Sequence, residues 1–196
     1  LLYCANMGSD NISVIDIAEK KRVRSIGTGK WPSDLYLTPA FRHLFVSCKY
    51  TNTVQLIDAN TEQHLFTKID TGISPARLIP VNKRLVAVIN EWEYAFNKQS
   101  SVIFLDIKDY EIKSSIRVDG GIFDGAVSKS KKYLYITVPL KDKVIFVDIR
   151  KREKVFEVAL EGGTPSWLSM SKDGRLLFVS CRQSKKVAII DVRDLI

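Results

Sequence analysis

Histidine is nearly absent from this sequence: His43 and His64 are the only two among 196 residues. That excludes a histidine-rich metal centre and leaves any nucleophile with two imidazoles at most to serve as base. Cysteine is scarce too. Cys4, Cys48 and Cys181 are odd in number and form no Cys-x-x-Cys pair, so neither a zinc ribbon nor a disulfide framework is indicated. No apolar run approaches the roughly 20 residues that a membrane-spanning helix requires, so no transmembrane segment is expected. Long blocks of one charge are also missing. Thirty Lys and Arg against 22 Asp and Glu give a net charge of +8, but the lysines are scattered. Such a balance permits an anionic polymer, nucleic acid or a membrane surface as partner, while solubility accounts for it without one. Nucleic acid is not the favoured reading.

What is present is a repeat. Five apolar runs end in aspartate, at Asp16, Asp58, Asp106, Asp148 and Asp191, and these lie 42, 48, 42 and 43 residues apart. A second apolar run precedes each one: 2–6, 44–48, 85–89, 134–138 and 177–181. Between successive aspartates come a charged, β-branched stretch, a glycine turn and a further short strand. The turns read Gly29-Lys30-Trp31-Pro32, Gly72-Ile73-Ser74-Pro75 and Gly162-Gly163-Thr164-Pro165. Four strands in about 40–45 residues is the arithmetic of a β-propeller blade. The two middle strands are nearly continuously apolar because stacked blades bury both faces of each sheet. Helices are excluded, since the runs are about five residues long, β-branched and bounded by Gly, Pro, Asn and Asp.

With the strands named A to D from the propeller axis outward, the chain reads BCD, ABCD, ABCD, ABCD, ABC. The expectation is therefore one all-β domain over 1–196, made of four-stranded antiparallel blades. About four and a half blades are present, with repeats at 1–29, 30–72, 73–120, 121–162 and 163–196. The open edges imply a larger ring of six to eight blades; two chains sharing one ring is the alternative.

Leu-Tyr-x-x-Asn, then Val-x-Val-Ile-Asp, then Gly-x-x-Pro, then Ser-x-Asp-Gly-Arg resembles the YVTN repeat of surface-layer and YncE-like propellers. Lactonase-like enzymes and the haem-bearing domain of cytochrome cd1 are related propellers. The third copy departs from the pattern: Gly120-Gly121 lacks the following proline, and residues are inserted after Asn90. The resemblance implies a periplasmic or cell-surface setting.

Catalytic, metal-binding and cofactor-binding residues are not assigned. The strand C aspartates suit Asx turns into strand D, not a ring of carboxylates. His43 falls in an A–B turn and His64 in a C–D turn, away from where an axial haem ligand or zinc would need them. The cysteines read as buried thiols acting as small apolar residues. Propeller ligands approach the face built by the D–A and B–C loops. There the third B–C loop carries Glu91, Trp92, Glu93, Tyr94 and Phe96, more aromatic surface than closing a turn requires. Trp31 and the strand A starts Asp34, Arg77, Asp124 and Trp167 belong to the same face and are placed to reach the channel mouth. The leading expectation is a non-enzymatic binding or scaffolding propeller that recognises a protein or anionic polymer there. A lactonase-like or redox enzyme completed by further blades is the alternative, and polyanion binding a second one.

Overall fold

The computed structural model describes residues 1–39, 42–91 and 99–193. Within them, five antiparallel sheets follow one another along the chain. The first holds β1 (Leu2–Asn6), β2 (Asn11–Asp16) and β3 (Lys21–Gly27). The second holds β4 (Pro32–Leu37), β5 (His43–Cys48), β6 (Thr53–Asp58) and β7 (His64–Asp70). The third is β8 (Pro75–Pro80), β9 (Leu85–Asn90), β10 (Gln99–Asp106) and β11 (Glu111–Asp119). The fourth is β12 (Gly125–Val127), β13 (Tyr133–Val138), β14 (Lys143–Asp148) and β15 (Glu153–Ala159). The fifth is β16 (Pro165–Met170), β17 (Leu176–Cys181) and β18 (Lys186–Asp191). Every sheet is a meander in chain order, so β4, β8, β12 and β16 are the A strands and β3, β7, β11 and β15 the D strands.

The chain divides into two compact units. One comprises residues 1–90 and 104–113, the other residues 91–103 and 114–196. In unit one, Ile12, Val14 and Ile26 of the first sheet pack on Leu44, Val46, Cys48 and Ile57 of the second. In unit two, Tyr133, Tyr135, Val144 and Phe146 of the fourth sheet pack on Leu168, Leu177, Val179 and Ile190 of the fifth. The middle strands β9 and β13 are buried along their whole length. Each large apolar side chain removed from water in this way contributes about 1.5–3 kcal/mol. The outer strand β15 is mostly exposed on both faces, and it carries a cross-strand ion pair from Lys143 Nζ to Glu157 Oε2 (2.6 Å).

Each C strand ends in the expected Asx turn. Asp16 Oδ1 accepts the amides of Ala18 (2.8 Å) and Glu19 (3.0 Å), and Asp58 Oδ1 those of Asn60 (2.8 Å) and Thr61 (2.9 Å). Asp106 and Asp148 repeat the pattern on Lys108 and Asp109, and on Arg150 and Lys151. Satisfied by backbone donors, these carboxylates close turns.

Two details differ from the sequence reading. The histidines open strands: His43 is the first residue of β5 and His64 the first of β7. Cys48 and Cys181 are buried, but Cys4 is exposed. Cys4 alternates on β1 with Tyr3, whose ring joins the unit-one core, so the thiol points to the other face, where no described residue covers it.

Candidate ligand-binding loop face

The B–C and D–A loops share one end of each sheet, and a recurring contact locks them together. The B–C loop is a single 3₁₀ turn at Met7–Ser9, Lys49–Thr51 and Pro139–Lys141. Each turn is closed by a left-handed residue: Asp10 (φ 52°), Asn52 (φ 58°) and Asp142 (φ 47°). Asp and Asn tolerate that conformation better than most residues. Their side-chain oxygens then accept an amide from the next D–A loop: Trp31 N to Asp10 (2.8 Å), Ser74 N to Asn52 (3.0 Å) and Thr164 N to Asp142 (2.7 Å).

Trp31, Ser74 and Thr164 are themselves left-handed, at φ 60°, 60° and 44°, and each precedes a proline. A residue in that position prefers extended backbone. The strain of order 1–2 kcal/mol is offset by the amide the Asp or Asn captures. In the third repeat Ser100 Oγ accepts Ile122 N (2.9 Å), and Gly120 and Gly121 take the positive φ values, 100° and 73°. Gly29 is required for another reason. A Cβ there would lie 2.6 Å from Thr51 Oγ1, and its amide donates to Gln55 Oε1 (2.9 Å).

On this braced end, apolar side chains stand in solvent. In unit one Trp31, 37% exposed, packs on Tyr50 with ring centroids 4.9 Å apart, and Ile73, in the next D–A loop, is half-exposed. In unit two Trp167, 52% exposed, meets Phe123 edge-on at 5.2 Å, and the Arg182 guanidinium lies over the Phe123 ring at 5.6 Å. Leu140, at the tip of its 3₁₀ turn, is half-exposed as well.

The strand A positions behave differently. Asp34 Oδ2 accepts the amide of Leu78 (2.9 Å), the residue after Arg77 in the next sheet, and its Oδ1 accepts Leu35 N (3.0 Å). Asp124 is buried and its Oδ2 accepts Leu168 N (3.2 Å), the residue after Trp167. Both aspartates thus tie one A strand to the next within their unit. A hydroxyl on the neighbouring B strand takes the amide at each of these places: Ser47 Oγ accepts Asp34 N (2.9 Å), Thr137 Oγ1 accepts Asp124 N (3.1 Å), and Ser180 Oγ accepts Trp167 N (3.0 Å). Glu91 is partly exposed. Trp92, Glu93, Tyr94 and Phe96 lie outside the described residues. His43 Nδ1 pairs with the Tyr110 hydroxyl (3.0 Å) and His64 Nε2 with the Gly27 carbonyl (2.7 Å). Among the described residues, no three His, Cys, Asp or Glu side chains gather as metal ligands would.

Phe123, Tyr50 and the Asp10, Asn52 and Asp142 braces escaped the sequence reading. A signal for the braces exists: each stands six residues before a strand C aspartate, and Ser100 fills that place in the third repeat.

Repeated antiparallel four-stranded sheets stacked face to face define the class: the chain has the β-propeller fold. Hydrazine synthase from Kuenenia stuttgartiensis superposes with a TM-score of 0.86 at 21% identity, over 98% of this chain and 62% of that one. The dihydro-heme d1 dehydrogenase NirN, solved in complex with DHE, gives 0.79 at 16% identity, over 99% of this chain and 43% of that one. A functionally unknown protein from Desulfotomaculum acetoxidans gives 0.83 at 14% identity, over 98% and 62%. At these identities the likeness shows the fold alone, and this chain spans less than two thirds of each neighbour. No protein-family model matches the sequence, and no curated protein matches it.

Proposed function

We propose that this chain is a binding propeller of the YVTN type that recognises a protein or anionic polymer through its D–A/B–C loop face, in a periplasmic or cell-surface setting. The observation that carries the reading is the Arg182–Phe123–Trp167 stack. It combines a half-exposed indole, an edge-packed phenyl ring and a guanidinium on a braced loop pair. Aromatic and arginine side chains held this way are the usual anchors of recognition surfaces, because little rotamer freedom is left to lose on binding. Basic residues of the same loops, Lys141 in one B–C loop and Lys185 and Lys186 in the next, suit an acidic partner. An enzymatic reading is less well supported. Asp34 and Asp124, the carboxylates nearest the expected channel mouth, already accept backbone amides, so neither is poised as a base.

Site-specific photo-crosslinking in the native cell tests this. A photoreactive residue at Trp167 should give a discrete adduct, and the same residue at Lys20, in a C–D turn at the other end of its sheet, should not. Adducts of equal yield from both positions, or none from Trp167, would remove the face from consideration.

A further inference from the structure

The D–A and B–C loops form one end of the sheets, and the A–B and C–D turns form the other. In unit two the charge collects at this other end. The turns of the fourth and fifth sheets, residues 128–132, 148–153, 171–175 and 191–193, hold nine Lys and Arg against four Asp and Glu. The loop segments at the opposite end, residues 119–124, 139–143, 160–165 and 182–186, hold five against four. Cations scattered along the sequence are thus gathered in space, away from the loop face.

Packing of the two sheets brings these turns together. Lys129 Nζ reaches from one A–B turn to the next and donates to the Lys172 carbonyl (3.4 Å). Lys129, Lys132 and Arg193 border a single opening of about 510 Å³. Within each sheet a backbone bond ties the A–B turn to the C–D turn: Ile149 N donates to the Lys132 carbonyl and Val192 N to that of Arg175, both at 2.9 Å. The carboxylates answer only part of the charge. Asp191 pairs with Arg193, Asp173 with Arg175 (3.8 Å) and Glu153 with Lys151 (3.6 Å). Asp148, which Lys132 feels without pairing, is buried, and its Oδ1 is held by the amides of Arg150 and Lys151. Lys129, Lys131, Lys132, Arg150 and Lys172 are exposed and, among the described residues, make no ion pair.

Turns that share an end of two stacked sheets lie roughly 10 Å apart both along a sheet and between sheets. The five uncompensated cations are therefore spread in two dimensions. They match negative charge laid out in a plane, whereas a linear polymer would meet them one row at a time. Single-stranded nucleic acid further asks for exposed rings on which its bases stack. Among the described residues, none of the large apolar side chains that stand in solvent belongs to these turns. Anionic lipid headgroups do form a plane of charge, and each Lys or Arg brought near one strengthens binding about fivefold. We propose that the turn end of unit two is a docking surface for an anionic lipid membrane, held by Lys129, Lys131, Lys132, Arg150 and Lys172. The attachment is electrostatic and reversed by salt, and it leaves the loop face at the opposite end of the sheets free for its own partner.

The test is co-sedimentation of the purified protein with lipid vesicles. Wild type should bind phosphatidylcholine vesicles that contain about one third phosphatidylglycerol at about 0.1 M salt, and should not bind phosphatidylcholine alone. Changing Lys129→Gln, Lys131→Gln and Lys132→Gln together should weaken binding on the order of a hundredfold. Arginine at the same three positions should restore it, which separates lost charge from a damaged turn. Lys30→Gln, Lys68→Gln and Arg117→Gln together remove as much charge from exposed places nearer the loop end of their sheets, and should bind like wild type. Failure of wild type to bind the anionic vesicles overturns the assignment, and so does failure of arginine to restore binding. Equal losses in the two glutamine triples would mean that net charge alone attracts the membrane, and would overturn it too. Tighter binding to duplex DNA than to vesicles, lost in the same turn triple, would assign the patch to a linear polymer instead.

Discussion

Asp142 closes a turn and captures an amide, and the chain provides its own comparison for both tasks. Asn52 performs them without a charge, receiving Ser74 N at 3.0 Å where Asp142 receives Thr164 N at 2.7 Å. Both residues are left-handed, a conformation that alanine adopts only at a cost. Asp142→Asn should therefore change stability by less than about 0.5 kcal/mol. Asp142→Ala loses a charge-assisted bond and strains the turn, and should cost about 1.5–3 kcal/mol. Urea unfolding of the two variants beside wild type measures the difference. A small effect of alanine would mean that the loops are held by their strands alone. The same logic sets Asp34 apart from an active-site acid: a carboxylate with an amide on each oxygen is an architectural tie, whatever its place near a channel.

At the scale of the element, the C–D turn is a proton-sensitive joint. The Arg193 guanidinium, then the Arg193 amide, draw Asp191 down to about 2. The amides of Thr61 and Asn60 likewise hold Asp58 below the usual carboxylate range. A folded-state value below the unfolded one, near 3.9, stabilises the fold fully above about pH 4. That contribution is lost as pH falls through the folded values toward about 2. Thermal melts should thus be flat from pH 7 to about pH 4.5 and fall below it, and Asp191→Asn should make the acid limb shallower. A melting temperature unmoved down to pH 2.5 would exclude this linkage. These turns were legible in the sequence because an aspartate closing a largely apolar run, repeated five times, has one local use. Strand order and the buried middle strands were legible for a similar reason, as periodicity is itself a local property. The braces are hard to see in the sequence because Asp10, Asn52, Asp142 and Ser100 differ in type and share only their distance from the next aspartate. The Arg182–Phe123–Trp167 stack was hidden because Phe123 and Arg182 are 59 residues apart and meet only once two sheets are stacked.

For the whole molecule, the question is whether the net charge of +8 or the aromatic anchors govern recognition. The two mechanisms respond differently to salt. Attraction between a basic surface and a flexible polyanion rests on displaced counterions, so affinity falls steeply and linearly on a logarithmic scale as salt rises. Contacts made by a desolvated indole and phenyl ring are nearly insensitive to salt, because little charge is screened when they form. The lysines are scattered, so a generic polyanion such as heparin should engage many of them weakly. Retention on heparin is therefore expected at low salt and should vanish by roughly 0.3–0.5 M NaCl, where the screening length is well under 10 Å. Trp167→Ala should elute with wild type, and Arg182→Ala only slightly earlier, by about one counterion in the slope. A partner captured through the loop face should behave in the opposite way, surviving added salt but not the loss of Trp167. If Trp167→Ala instead shifts heparin elution as much as removing several lysines, the aromatic stack itself reads the polymer. Protein and polyanion recognition would then be one activity of the same face.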